Sequence, residues 1–221
     1  MSLAPRNSSP DCAAFVLAGG QSSRMGSDKA ILSLAGQPLV AHALRILRAA
    51  GFSASIAGAR SPLAAFAPVI EDAHAGPLDG ICAALASCRA AQALFLSVDL
   101  PLFPSAGLGY LLQQASLSGA AAAMFSMNGF VQTFPAILDH ALLPTLRVRL
   151  NAGQGGCLTA FRAGAEVLGR PLRILPVEYL VQAGHFAEPH VLPPFLWFLN
   201  INTPDDLDTA RGLLTQAGRV S

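Results

Sequence analysis

Charge is scarce in this chain. Only 12% of its 221 residues are charged, against roughly 25% in an average protein. The 14 Lys and Arg residues nearly balance the 13 Asp and Glu residues, and no basic run is longer than a pair, which argues against a nucleic-acid-binding surface. No apolar run approaches the length of a membrane span. With 52% hydrophobic residues, the chain can bury a large core, so its few charges are good candidates for functional roles.

The cysteine and histidine patterns of metal sites are also missing. The four cysteines contain no C-x-x-C pair and the five histidines have no ligand spacing, so no zinc site is predicted. We expect reduced, partly buried thiols in a cytoplasmic protein. The first ten residues lack the hydrophobic segment of a signal peptide. We therefore expect residues 1–11 to be a loose tail and residues 12–221 to form one domain.

The segment at residues 17–29, L-A-G-G-Q-S-S-R-M-G-S-D-K, lies between two apolar runs and has the composition of a phosphate-binding loop. Gly19 and Gly20 allow backbone N–H groups to approach a ligand closely. Arg24 offers a planar set of donors for phosphate oxygens, and Lys29 offers a mobile point charge. The alternative is an ordinary strand-to-helix turn that carries two surface cations.

Two common phosphate-binding motifs do not fit this segment. In the P-loop, G-x-x-x-x-G-K-[ST], the lysine follows the second glycine directly. Here Gly20 and Gly26 are separated by five residues, and Lys29 stands three beyond Gly26. The dinucleotide fingerprint G-x-G-x-x-G is also absent. The segment therefore predicts a phosphate loop of another kind.

Strand and helix signals alternate along the chain, which predicts right-handed βαβ units and a mostly parallel sheet covered on both faces. Asn128-Gly129 is a strong hairpin dipeptide, so we expect an antiparallel component and a mixed sheet. Strands are predicted at residues 13–18, 53–58, 68–71, 93–98, 120–127, 131–138, 173–177 and 195–199. Helices are predicted at residues 38–50, 81–91, 104–118, 139–150, 157–168 and 204–216.

Four segments with unusual composition follow predicted strands: residues 19–29, 72–80, 99–101 and 200–203. In open α/β sheets, ligands bind outside the carboxyl ends of the strands. We therefore expect these four segments to converge on one ligand site at that edge of the sheet.

Asp99 follows the apolar run at residues 95–98. A carboxylate at the tip of a buried strand can hold Mg²⁺, which usually takes one or two carboxylates together with phosphates and water. The structural alternative is a turn acid or an N-cap before the helix that Pro104 opens. Because the neighbouring loops already indicate phosphates, we favour the metal-binding role.

Asp72 and the G-P-L-D-G segment at residues 76–80 predict a tight turn followed by a helix start. Glycines that flank a proline can shape a backbone to hold a flat base or a ribose. Turn chemistry alone is a serious alternative, in which Asp79 caps the helix that begins near residue 81.

The last constellation lies at residues 200–207. Thr203 before Pro204, with Asp206 three residues further on, predicts a helix N-cap, and that cap explains Thr203 and Asp206 fully. Asn200 and Asn202 alternate at the end of a predicted strand and would share a face. We expect them to form hydrogen bonds with a polar second substrate.

These motifs, in this order, resemble those of the molybdenum cofactor guanylyltransferases: L-A-G-G-x-S-S-R-M-G-x-D-K, G-P-L-x-G, V-D-x-P and N-I-N-T-P-x-D-L. The resemblance extends from about residue 13 to residue 213. The first motif is typical of the wider nucleotidyltransferase superfamily, and the combination is typical of this family. It implies a single Rossmann-like domain, a three-layer α/β sandwich, that transfers GMP from GTP to the terminal phosphate of molybdopterin with Mg²⁺. The products would be the guanine dinucleotide and pyrophosphate, and a protein that delivers molybdopterin would be a partner.

The resemblance also implies roles for individual residues. Nucleotide binding would involve Leu17, Ala18, Gly19, Gly20, Lys29, Asp72, Gly76, Pro77, Leu78 and Asp99. Arg24, Lys29 and Asp99 would act in catalysis, with Mg²⁺ on Asp99. Asn200 and Asn202 would face molybdopterin.

The acceptor side departs from the family's pattern. Relatives tend to have arginines where residues 153–157 read G-Q-G-G-C. If such arginines bind the acceptor's phosphate, then Arg147, Arg149 or Arg162 must substitute, or the acceptor differs. Two other functions stay open: a CTP-dependent cytidylyltransferase that acts on molybdopterin or on a sugar or polyol phosphate, and a non-catalytic nucleotide-binding protein.

Overall fold

The computed structural model of the protein describes residues 11–18, 29–58, 61–73, 75–185 and 192–217. These residues form a seven-stranded mixed sheet between two layers of helices, with a two-stranded hairpin beside it. The predicted fold class, a mostly parallel three-layer α/β sandwich, is confirmed.

Six strands of the sheet run in one direction, and β8 alone runs against them. The order across the sheet is β5-β4-β1-β6-β8-β7-β9. The strands are β1 Cys12–Leu17, β2 Ser33–Leu34, β3 Gln37–Pro38, β4 Ala54–Ala57, β5 Val69–Ile70, β6 Gln92–Ser97, β7 Ala122–Met127, β8 Phe130–Asp139 and β9 Leu172–Pro176. β2 and β3 form the separate hairpin.

The helices cover the two faces of the large sheet because successive strand residues point to opposite sides. Val16 packs on one face, in a cluster that includes Trp197, and Phe15 packs on the other. The α-helices are α1 Leu39–Ala49, α2 Pro77–Ser87, α3 Ser105–Ser118, α4 Leu143–Asn151, α5 Cys157–Leu168, α6 Val177–Gln182 and α7 Pro204–Ala217. No helix in the described ranges is both long and apolar enough to cross a bilayer.

The hairpin predicted at Asn128-Gly129 is confirmed. Both residues have positive φ, at 51° and 79°, as a two-residue turn of type I′ requires. The turn joins β7 to β8 and places β8 between β6 and β7. The antiparallel strand therefore lies inside the sheet rather than at its edge.

The strand predicted at residues 195–199 is wrong, because Pro194–Phe198 is a 3-10 helix. Pro194 takes a first-turn position there, and Trp197 and Phe198 are buried. A short apolar run does not distinguish a strand from a buried helical turn. Asn200 and Asn202 consequently do not alternate along a strand.

Other predicted boundaries shift by a few residues. Helix α2 begins at Pro77, four residues before the predicted start near residue 81. Helix α6 and the β2–β3 hairpin were not predicted. The predicted helix at residues 139–150 is divided into a 3-10 turn, His140–Leu142, and helix α4.

Candidate active site

Backbone hydrogen bonds join the carboxyl ends of the parallel strands. The N–H of Val98 donates to the carbonyl of Leu17 at 3.0 Å, which connects β6 to β1. The N–H of Ile201 donates to the carbonyl of Asp99 at 3.0 Å, which connects the loop before α7 to the loop after β6. This framework connects the end of β1, the loop after β6 and the loop before α7, which are distant from one another in sequence.

Lys29 is the centre of the candidate site. Its Nζ donates to Oδ2 of Asp99 at 3.0 Å and to Oδ1 of Asn202 at 2.8 Å. The side chains of Lys29 and Asp99 are only 16% and 19% exposed, so water screens this ion pair less than it screens a pair on the open surface. An ammonium carries three N–H donors, and two of them have acceptors in the described part of the chain.

The second carboxylate oxygen of Asp99 is used differently. Oδ1 is buried and has no hydrogen-bond partner among the described residues. Buried polar atoms are normally paired, and one that is not calls for a ligand, water or ion. Asp99 thus gives one oxygen to Lys29, and its other oxygen, with no partner in the described part of the chain, is a candidate ligand.

Among the described residues, Asp99 does not belong to a cluster of potential metal ligands. The described part of the chain contains no group of three or more His, Cys, Asp or Glu residues that could hold a metal ion by themselves. Mg²⁺ does not require such a group, since it is usually bound by one or two carboxylates with substrate phosphates and water. The donor set therefore fits Mg²⁺ that arrives with a polyphosphate.

The start of helix α2 lies close to the end of β4. Gly76, with φ of 102°, precedes Pro77 and is the N-cap. Asp79 is buried in the first turn, and its Oδ2 accepts from the N–H of Ala75 at 3.1 Å. Asp79 therefore stabilises the helix start, as the structural alternative proposed, although from the third helical position rather than as the N-cap.

Asp72 packs against this helix start. A Cβ placed on Gly80 would lie 3.2 Å from Oδ2 of Asp72 and 3.4 Å from the backbone of Gly58. The glycine thus allows the helix to approach both β4 and the Asp72 carboxylate. Asp72 and Asp99 both lie at the predicted edge, after β5 and β6 respectively.

The start of helix α7 is a reciprocal capping box, which confirms the predicted cap. The N–H of Asp206 donates to Oγ1 of Thr203 at 3.2 Å, and Oδ2 of Asp206 accepts from the N–H groups of Asn202 and Thr203 at 2.9 and 2.8 Å. These hydrogen bonds lower the pKa of Asp206, and the one from the N–H of Asn202 has the largest effect. The positive charge of Lys29 lowers the pKa further, by a smaller amount.

The two asparagines have different environments. Asn202 accepts from Lys29, whereas Nδ2 of Asn200 donates to the carbonyl of Phe198 at 3.3 Å. The predicted shared face is wrong, because the backbone before them is a 3-10 helix. No sequence signal identified Asn202 as a partner of Lys29, since 173 residues separate them.

Several predicted site residues need separate comment. Gly19, Gly20 and Arg24 lie outside the described residues. Leu17, at the end of β1, and Leu78, in the first turn of α2, are buried in the same core cluster, so a nucleotide contact from either would come from its backbone.

The arginines near residues 153–157 are unevenly placed. Arg149 is in helix α4, and its Nε is buried without a partner in the described part of the chain. Arg147 lies close enough to Cys82 to oppose the rise that burial causes in the pKa of that thiol. Arg162 is exposed on α5.

The four cysteines are free and do not have the properties of nucleophiles. Burial raises the pKa of Cys12 to about 12 and the pKa of Cys82 and Cys157 to about 11, and it also raises that of Cys88. A reactive cysteine requires a lowered pKa instead.

Comparison with known proteins gives a consistent result. Residues 14–167 match the family described as the MobA-like NTP transferase domain. A molybdenum cofactor guanylyltransferase of Pseudomonas putida is 35% identical over 153 residues, which cover 66% of this chain and 79% of the relative. One from Rhizobium meliloti is 32% identical over 212 residues, 91% of each chain.

A solved structure shares the fold. It is the molybdopterin-guanine dinucleotide biosynthesis protein A of Archaeoglobus fulgidus, with a TM-score of 0.73 and 22% identity, over 92% of this chain and 99% of that one. The fold and the comparisons together define a nucleotidyltransferase. Within that class, the chain belongs to the family of MobA-like NTP transferases.

Proposed function

We propose that the protein transfers GMP from GTP to the terminal phosphate of molybdopterin, which forms molybdopterin guanine dinucleotide and releases pyrophosphate. The relatives named molybdenum cofactor guanylyltransferase support the choice of both substrates. The observation that carries the chemistry is the Lys29–Asp99 pair at the carboxyl edge, where one oxygen of Asp99 has no partner among the described residues.

The first requirement of this reaction is neutralisation of charge. An oxygen of the acceptor's phosphate attacks the α-phosphorus of GTP, the new P–O bond forms, and the bond to the β-phosphate breaks with its electrons on pyrophosphate. The attacking group is already an anion, so no proton has to be removed. Because an anion approaches an anion, cationic groups must surround the phosphates.

Lys29 meets this requirement from the protein. Its remaining N–H donor would bind a phosphate oxygen of GTP and stabilise the charge that develops on the leaving pyrophosphate. Arg24, from the same segment, would take a similar role. The ion pair with Asp99 holds the ammonium in place before the substrate binds.

Asp99 would also hold Mg²⁺ through Oδ1, the oxygen that lacks a partner within the described ranges. When bound, Mg²⁺ would supply positive charge to the phosphate oxygens. The contribution of Asp99 itself is a fixed carboxylate at the end of a buried strand.

The other predicted residues would bind the nucleoside of GTP and the acceptor. Asp72, the turn at residues 76–78 and the backbone of residues 17–20 would bind the nucleoside. Asn200 and Asn202 would face the acceptor, and of the two it is Asn202 that contacts Lys29. The delivery protein and the cytoplasmic location stay predictions.

A pyrophosphate-release assay tests this function. Purified protein is supplied with each of the four NTPs and Mg²⁺, with and without molybdopterin. We expect pyrophosphate only when GTP and molybdopterin are both present. A preference for CTP would replace guanine with cytosine, and nucleotide binding without any pyrophosphate would make the protein a non-catalytic binder.

A further inference from the structure

Lys29 is the only lysine among the 221 residues. A free lysine side chain samples many rotamers, and ordering it costs roughly 1.5–2 kcal/mol of conformational entropy. Here two acceptors from two different loops, Asp99 and Asn202, hold the ammonium. The entropy of ordering has therefore been lost before any ligand binds.

The acceptor on the last loop is itself held firmly. Oδ2 of Asp206 accepts from the N–H groups of Asn202 and Thr203 at 2.9 and 2.8 Å. The neighbouring Ile201 donates to the carbonyl of Asp99 at 3.0 Å. Asn202 is thus fixed at the N-terminus of α7 and against the loop that carries Asp99.

The amide of Asn202 suits this position because it is neutral. Lys29 and Asp99 together carry no net charge, and an amide oxygen adds a hydrogen bond without changing that sum. A second carboxylate at residue 202 would make the cluster negative and would repel a polyphosphate.

From these contacts we infer that Asn202 is a positioning residue, which holds the Lys29 ammonium in place for the nucleotide phosphates, with the α7 capping box as its support. This inference rests on the proposed function, and it moves Asn202 from the acceptor side to the nucleotide side. Asn200, whose amide donates to the carbonyl of Phe198, stays proposed for the acceptor.

The first test needs no substrate. With lysine labelled at Nζ with ¹⁵N, the ammonium signal of the ligand-free protein comes from Lys29 alone, because the chain has no other lysine. We expect the Asn202→Ala substitution to accelerate exchange of these protons with water severalfold, and the control Asn200→Ala to leave it unchanged. Equal exchange in the wild type and Asn202→Ala would show that Asn202 does not hold Lys29.

The support from helix α7 is tested in the same way. Asp206→Asn retains an oxygen that can accept the two backbone N–H groups, so it should preserve slow exchange at Lys29. Asp206→Ala should accelerate the exchange. If both variants behave alike, the capping box does not position Asn202.

The second test separates nucleotide binding from acceptor binding. By titration calorimetry with GTP and Mg²⁺, Asn202→Ala should raise the Kd about tenfold, the low end of what a hydrogen bond to a charged group contributes. The KM for molybdopterin should stay the same. In a Lys29→Ala background, Asn202→Ala should change the Kd by less than about twofold, because the pair acts as a unit.

The outcomes are distinguishable. A rise only in the KM for molybdopterin would make Asn202 an acceptor ligand and would overturn the inference, as would additive effects in the Lys29→Ala background. If the wild type binds no nucleotide, the proposed function fails and the inference for nucleotide binding fails with it. The exchange measurement would still decide whether Asn202 holds Lys29.

Discussion

At the carboxyl edge of the sheet, acidic residues lie either at the start of a helix or at the end of a strand. Their carboxylates have different partners in these two regions. Asp79 and Asp206 lie at helix starts, where each accepts from backbone N–H groups. Asp99 lies after the end of β6, where Oδ2 accepts from the ammonium of Lys29 and Oδ1 is buried without a partner in the part of the chain that the structure describes.

The difference indicates where function lies at this edge. A helix start has unpaired N–H groups that a carboxylate satisfies, so an acid there has a structural role. The end of a buried strand leaves no such need for the Asp99 carboxylate. Its burial and its orphan oxygen cost stability unless a ligand completes it, which is why Asp99 is the better candidate for catalysis.

The largest effect is expected at the strand end. Lys29→Ala and Asp99→Ala should each lower the rate of GMP transfer by about 10²–10³, the typical cost of removing one preorganised charged group. Both variants should keep the fold, because the backbone contact of Asp99 with Ile201 does not use the side chain. The rate comes from pyrophosphate release, and the fluorescence of buried Trp197 reports unfolding. Near-normal turnover by Asp99→Ala would remove the metal and catalytic assignments.

The opposite pattern is expected at the start of α2. Asp79→Ala should lower the free energy of unfolding by about 1–2 kcal/mol, because the N–H of Ala75 loses its acceptor. Transfer activity should fall much less than in the Asp99 variant. Urea unfolding measures the first quantity, and Asp79→Asn, which keeps an acceptor oxygen, is the control. A large loss of activity at full stability would mean that Asp79 acts in the site.

A smaller effect should appear at Gly80, where helix α2 packs against the Asp72 carboxylate. An alanine here would put its Cβ 3.2 Å from Oδ2 of Asp72, so the carboxylate or the helix must shift by a few tenths of an ångström. We expect the Kd for GTP to rise severalfold, as measured by titration calorimetry. Gly212, on the exposed part of α7, has open space around it and is the matched control. An unchanged Kd would indicate that Asp72 does not contact the nucleoside.

The smallest effect is the pH dependence of the α7 cap. Hydrogen bonds to Asp206 lower its pKa below the ordinary value of 3.8. Asp206 therefore binds a proton more readily in the unfolded chain than in the folded protein. The stability that its ionised carboxylate contributes is present above about pH 4 and is lost as the pH falls through the pKa of Asp206 in the folded protein. Compared with the wild type, Asp206→Asn should lose less stability on acidification, as followed by Trp197 fluorescence. Parallel acid-unfolding curves would contradict this expectation.

The sequence predicted most of the fold because its local signals agree with its tertiary structure. The periodicity at α1, the apolar run of β6 and the Asn128-Gly129 turn are each encoded within a few residues. The prediction was wrong at Pro194–Phe198, where an apolar run with no clear period fits a strand and a 3-10 helix equally well. What distinguished them was the burial of Trp197 and Phe198 against a core assembled from elsewhere.

For the candidate site, too, local sequence patterns gave one part of the description and the tertiary structure gave the other. The sequence by itself determined which residues could act, since a phosphate loop, a strand-end carboxylate and a capped helix start are each local patterns. Only the tertiary structure decided that Lys29 meets both Asp99 and Asn202, across 70 and 173 residues. The physical reason is that the carboxyl ends of parallel strands converge in space whatever their separation along the chain, and a local pattern carries no record of that convergence.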